Sequence, residues 1–206
     1  MDFLIFIALM ALGQFSPGPD MLLLTRTALR AGFPTALRMI AGIATGLGLH
    51  AGLAIIGLSQ LFRQESTLAT VLKITAALYL IWLALGLLRE LFIARYSGTK
   101  IELDPAPAHV RSPYLQGLLC NVTNAKALLF FAGLLTPFLS GPRPAWWPFA
   151  LWLTVVLEAL ILWSLGAKLR HNTAVNRFYF QRALFIDGGF GLALLVLALV
   201  FLASLF

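Results

Sequence analysis

Ser16-Pro17-Gly18-Pro19-Asp20 interrupts an apolar run from 3 to 25, and Asn121-Val122-Thr123-Asn124-Ala125-Lys126 interrupts another from 113 to 139. Each run is near the roughly 20 residues that cross a bilayer. Lipid offers no water to a freed backbone group, so a break at membrane depth survives only where it faces protein or lines a polar cavity. A matched pair of breaks in corresponding halves of a chain is the sequence signature of a transporter's binding site.

Four more apolar stretches of spanning length lie at 39–62, 67–88, 146–167 and 183–205. The 206 residues are 60% hydrophobic and only 11% charged, with a mean hydropathy of +0.90, against about 25% charged in soluble domains. The fold class predicted is an all-α integral membrane protein with six transmembrane helices, spans one and four being broken. Met1-Asp2 leads directly into apolar residues with no basic opening, so the first segment reads as a retained span and not as a cleaved signal. With the single cysteine Cys120, neither an intrachain disulfide nor a thiolate metal cluster can form.

The net charge of +7 is a topology signal. Loops after spans one, three and five hold eleven of the fifteen Lys and Arg residues, and those after spans two and four hold only Arg63 and Arg143. The positive-inside rule then places the odd loops in the cytoplasm and both termini in the periplasm. Attraction to anionic membrane lipid is a side effect. No basic-aromatic interleaving or groove-reading motif accompanies the charge, so nucleic acid is not an expected partner.

Residues 89–112, with Ser97-Gly98-Thr99 and Asp104-Pro105-Ala106-Pro107, form a polar linker between a first three-helix repeat, 1–88, and a second, 113–206. An odd number of spans per half turns the second upside down, giving two inverted repeats. The features correspond: Asp20 and Lys126 each precede an apolar run, and about 30 residues later come His50 and Glu158.

The residue types at the breaks suit anion binding. Ser16 can cap a helix starting at Pro17, whose missing N–H would be orphaned there anyway, and Gly18 permits close backbone approach. Asn121, Thr123 and Asn124 can cap a second half-helix. Two facing N-termini make a site for an amino-acid or other organic carboxylate. Lys126 strengthens it but sits badly against the helix dipole, so it needs a counter-charge, and Asp20 is the candidate. Two readings stay open: a buried ion pair joining the breaks, or a site in which Lys126 and the capping amides take a carboxylate while Asp20 meets an ammonium. Intramembrane charges cost about 2.5–3.5 kcal/mol each on insertion scales and usually mark a substrate path.

Trp146 and Trp147 read as anchors at the outer interface. Gly42, Gly46, Gly48 and Gly52 in span two imply close helix packing, within the protomer or across a homodimer.

Pro17-Gly18-Pro19-Asp20, Arg30-Ala31-Gly32-Phe33, the glycine-rich second span and Asn124-Ala125-Lys126-Ala127-Leu128-Leu129-Phe130-Phe131 together resemble the LysE/RhtB family of bacterial amino-acid exporters. The resemblance covers nearly the whole chain. It implies a six-span inner-membrane permease exporting small zwitterionic amino acids in exchange for protons, with no cofactor. Members usually carry Asn-Pro-Lys where this chain has Asn124-Ala125-Lys126, implying a gentler second break. Many carry Asn at the position of Asp20, so an ammonium role for Asp20 is not simply inherited.

Substrate-binding candidates are therefore Pro17, Gly18, Asp20, Asn121, Asn124 and Lys126. Glu158, mid-span, is costly unless protonated or paired and is the first candidate for proton coupling. His50 lies at similar depth and can pair with it, and Asp187 lines a cytoplasmic vestibule or meets Arg182. No nucleotide loop, metal cluster or serine elbow points to an enzyme. The competing classes are an inorganic cation transporter and a non-transporting scaffold or sensor.

Overall fold

The computed structural model describes residues 2–15, 18–62, 67–97, 112–169 and 173–205, leaving outside that description the side chains of 15, 60–62, 90–97, 125, 126, 128, 129, 173–181, 183, 184, 186 and 187. These residues form eight helices and no strand: α1 (Asp2–Phe15), α2 (Pro19–Ala31), α3 (Phe33–Phe62), α4 (Thr67–Ser97), α5 (Pro113–Val122), α6 (Ala125–Leu139), α7 (Trp147–Leu169) and α8 (Thr173–Ala203). Helices α3, α4 and α7 contain apolar spans at 33–59, 67–89 and 147–169, and α1 with α2, bent by 61° at their break, forms a fourth if counted as one crossing. Large apolar side chains such as Leu53, Ile56, Trp82, Ile161 and Val200 are more than 60% exposed. Lipid tails satisfy such a surface, and the chain is an all-helical membrane protein.

The expected loop at 26–38 is a single turning residue. Gly32 takes φ 81°, where a side chain is strained, and α2 and α3 run up to it from either side. Pro34 in the first turn of α3 costs no internal hydrogen bond, so the second helix starts six residues before its apolar stretch. At α5 the sequence supplies an ordinary start, with Ser112 Oγ accepting from Leu115 N at 3.4 Å and Pro113 opening the helix.

Helix α3 is the hub, packed against α2, α5, α6 and α7, while α4 pairs with α8. Its glycines divide between two faces. Gly42 lies under the Tyr114 carbonyl of α5, and Gly117 of α5 lies reciprocally under the Met39 carbonyl of α3. A Cβ on Gly46 would stand 2.6 Å from Asn121 Oδ1. Gly48 instead faces α7, where Trp152 Nε1 donates to the Gly48 carbonyl at 2.9 Å. The small residues thus serve packing within one chain.

Trp147 departs from the anchoring expectation. It is buried, donates Nε1 to the Phe138 carbonyl at 2.8 Å, and lies against Phe3 with Arg143 above its ring. The end of α6 leaves that carbonyl without a helical partner, and the indole supplies one. Trp146 alone faces outward.

Candidate functional site

The two breaks meet. Asp20, in the first turn of α2, accepts at Oδ2 from Asn121 Nδ2 at 2.8 Å and from Asn124 Nδ2 at 3.4 Å. The sequence separation is a hundred residues, and the contact is buried on both sides: Asn121 is 0% and Asp20 8% exposed. A carboxylate gains most from such charge-assisted bonds where solvent is excluded.

How the breaks are built differs in part from expectation. Helix α2 begins at Pro19 with Gly18 as its cap, and no side chain caps it; the Pro-Gly-Pro sequence offers two prolines able to open a helix, and the second does so. Pro17 lies outside the described residues. Gly18 is extended, and a Cβ there would meet nothing within 4 Å, so among the described residues no other part of the protein approaches it closely. At the second break Asn124 caps α6, with Oδ1 accepting from Ala127 N at 3.4 Å. Asn121 belongs to the last turn of α5 and spends its amide on Asp20. Thr123 turns its hydroxyl back to the Leu119 carbonyl at 2.7 Å.

Breaking a span frees carbonyls, and here they find partners. The Asn121 carbonyl accepts from Asn124 N at 2.9 Å and faces His50 Nε2 at 3.1 Å. Only a donor can meet a carbonyl, so Nε2 is the donating nitrogen in this contact. This corrects the pairing of His50 with Glu158. The α3 face bearing Gly42 and Gly46 is pressed against α5, and His50, four residues beyond Gly46, follows that face toward the break. Glu158 on α7 accepts instead from Gln14 Nε2 of α1 at 3.4 Å.

Beside the Asp20 carboxylate lies a cavity of about 90 Å³, several times the roughly 10–15 Å³ that one water needs. Gly18, Pro19, Asp20 and Asn124 bring both breaks to its wall, and Gln14, Phe130, Trp163 and Phe190 complete much of the rest. Three buried polar atoms on this wall have no partner among the described residues: Asp20 Oδ1, Gln14 Oε1 and Trp163 Nε1. Two acceptors and one donor left unsatisfied in an apolar enclosure are costly unless a ligand or water meets them. Gln14 and Trp163 were absent from the sequence-based set. Gln14 carried a signal, as an amide inside an apolar run, whereas Trp163 reads like any other membrane tryptophan.

Lys126 is the second residue of α6, but its side chain lies outside the described residues, so the ion pair with Asp20 is not described; the partners Asp20 does show are two amides and the Cys120 thiol. The Asp187 side chain on α8 lies outside them likewise.

The chain is similar to the threonine efflux protein of Salmonella typhi, 31% identical over 194 residues that cover 88% of this chain and 91% of that protein. It is 29% identical over 197 residues to the threonine efflux protein of Escherichia coli strain K12, covering 88% and 91%. The homoserine/homoserine lactone efflux protein of Salmonella typhimurium is 31% identical over 133 residues, 64% of this chain and 61% of that protein. No solved structure matches. The profile of the LysE type translocators matches residues 11–205, and the chain belongs to that family.

Proposed function

We propose that this protein exports small, hydroxylated or otherwise polar amino acids across the bacterial inner membrane in exchange for protons, by alternating access around the two breaks. The observation that carries the reading is the cavity at which the breaks converge on Asp20. Its unsatisfied oxygens suit an ammonium group. The N-terminal ends of α2 and α6 at the same wall, with Lys126 in the first turn of α6, suit a carboxylate. Threonine and homoserine, named for its relatives, are small enough to be the first solutes to try.

The six-span arrangement belongs to this proposal, as do the repeats 1–88 and 113–206 and the linker 89–112 between them, the start of which continues α4 as far as Ser97. Helix α1 rises about 21 Å, and α2 tilted 61° from it adds about 10 Å, which together match a hydrocarbon core of about 30 Å. A single bent crossing is therefore long enough. Asp2 at the start of α1 pairs with Arg143 before α7 at 2.8 Å. That contact supports a reading in which the N-terminus and the loop before α7 share the outer face.

Within this reading Glu158 is the proton carrier. His50 holds the second break through the Asn121 carbonyl, and Asp187 lies toward the cytoplasmic end of span six. Counterflow in proteoliposomes tests the function: vesicles loaded with unlabelled threonine or homoserine should take up the labelled amino acid saturably, and Lys126→Ala should raise the KM. Flux of metal ions alone, or no flux of any solute, overturns it.

A further inference from the structure

Glu158 does not line the cavity; Gln14 does, and it is the residue that touches Glu158. Gln14 is 6% exposed, so its amide has few groups to choose among. One end donates to Glu158 Oε2 and the other, Oε1, has no described partner. We propose that Gln14 is a substrate ligand that carries the proton state of Glu158 to the cavity, offering oxygen to an ammonium when Glu158 is ionised and N–H when it is protonated. The inference rests on the transport function proposed above and deepens it.

The argument is one of donors and acceptors. An ionised carboxylate only accepts, so it holds the Gln14 amide with Nε2 toward itself and Oε1 turned away. Asp20 Oδ1 on the same wall is the second open acceptor, and two such oxygens form a seat for an ammonium. A protonated Glu158 has an O–H to donate, and Gln14 Oε1, on the amide that already touches it and without a described partner of its own, is an acceptor for it. The terminal amide torsion is soft and roughly two-fold, so a half-turn satisfies the new donor and aims the N–H2 group at the place the ammonium occupied. A donor facing a cation repels it. Proton and amino acid thus exclude each other, although they never share an atom.

The direction of transport follows. On the acidic outer side a proton passes from water to Glu158, the amide turns, and the amino acid leaves outward. On the inner side the proton returns to water and the acceptor is restored for the next molecule.

Helix α7 packs against α1, α2 and α3. Their ionisable groups are Asp2, paired with Arg143; Asp20, held by the two asparagines; Arg26, Arg30 and Arg38; and His50, on the Asn121 carbonyl. The hydrogen bond described for Glu158 is the one to Gln14.

The test is the pH dependence of amino-acid counterflow by the full chain in proteoliposomes, with equal pH on both sides and labelled threonine as probe. One-for-one exclusion makes the wild-type KM rise by up to about tenfold per pH unit on the acid side. Gln14→Met fills the same space with no N–H donor and only a weakly accepting sulfur, so its KM should exceed the wild-type value on the alkaline side, where the wild-type amide offers its oxygen, yet vary by less than about twofold over the whole range. Gln14→Asn, one methylene shorter and out of reach of Glu158, should flatten the profile too, and serves if the methionine variant does not assemble. Wild-type slope retained in the variants overturns the role of Gln14 alone. A flat wild-type profile overturns proton coupling together with this inference, and a wild-type protein that exchanges nothing overturns the transport function on which both rest.

Discussion

Gly46→Ala is the sharpest probe of how the membrane core supports Asp20. The new methyl would stand 2.6 Å from Asn121 Oδ1, where ordinary contact begins at 3.4 Å, so the asparagine must retreat by about 0.8 Å. Its bond to Asp20, now 2.8 Å, would then stretch past the range of a useful hydrogen bond. Alanine gains about 1 kcal/mol of helix propensity over glycine. Against this stand about 1–3 kcal/mol for overpacking and about 1.5–3 kcal/mol for loosening a bond to a charged group. A net loss of about 1.5–5 kcal/mol follows. Two neighbours on the same helix calibrate it. A Cβ on Gly48 meets a Val156 methyl at 3.1 Å, which a small side-chain shift relieves, and one on Gly57 meets nothing within 4 Å. Gly57→Ala should therefore be stabilised by up to about 1 kcal/mol and Gly48→Ala should lie between. Thermal midpoints of the detergent-purified variants, read by loss of the monodisperse peak, give the order of stability; threonine counterflow gives the functional order. Gly46→Ala matching Gly57→Ala in both would refute the claim that the second break is held on Asp20 by close packing of α3 on α5.

Asp20→Leu should abolish exchange, and Asp20→Asn should raise the KM by about 10- to 100-fold through loss of a charge-assisted bond to ammonium; equal KM values for Asp20→Asn and wild type would remove Asp20 from the site. Glu158→Gln should keep counterflow at symmetric pH but lose accumulation driven by a pH gradient, and accumulation at the wild-type level would assign the proton elsewhere. Trp147→Phe loses the bond to the Phe138 carbonyl and should cost about 1 kcal/mol. Trp146→Phe, at a residue 58% exposed, should stay within about 0.5 kcal/mol of wild type, so a ranking in the opposite order would return Trp147 to the lipid interface.

What could be read in advance was whatever lipid forbids. A proline-glycine-proline run or an asparagine cluster inside an apolar stretch leaves backbone and side-chain groups that hydrocarbon cannot satisfy, so Asp20, Asn121 and Asn124 had to find polar company, and each other's company is what they find. Rotation about a helix axis has no such constraint. His50 and Glu158 each lie well inside an apolar stretch, yet His50 follows Gly46 to the second break while Glu158 faces α1, because Gly42 and Gly46 of α3 face α5 while Gly48 and Gly52 face α7, and no single stripe marks either face. Ambiguity of a different kind governs the start of α2, where either proline is compatible with a first helical turn. Trp147 lies beyond reach for a third reason: its burial depends on a carbonyl left over at the end of α6, and an unsatisfied acceptor has no letter of its own. The same holds for the empty place beside Asp20. Gln14, Trp163 and Phe190 come from three helices to enclose it, and only their joint geometry distinguishes a ligand's seat from ordinary apolar packing.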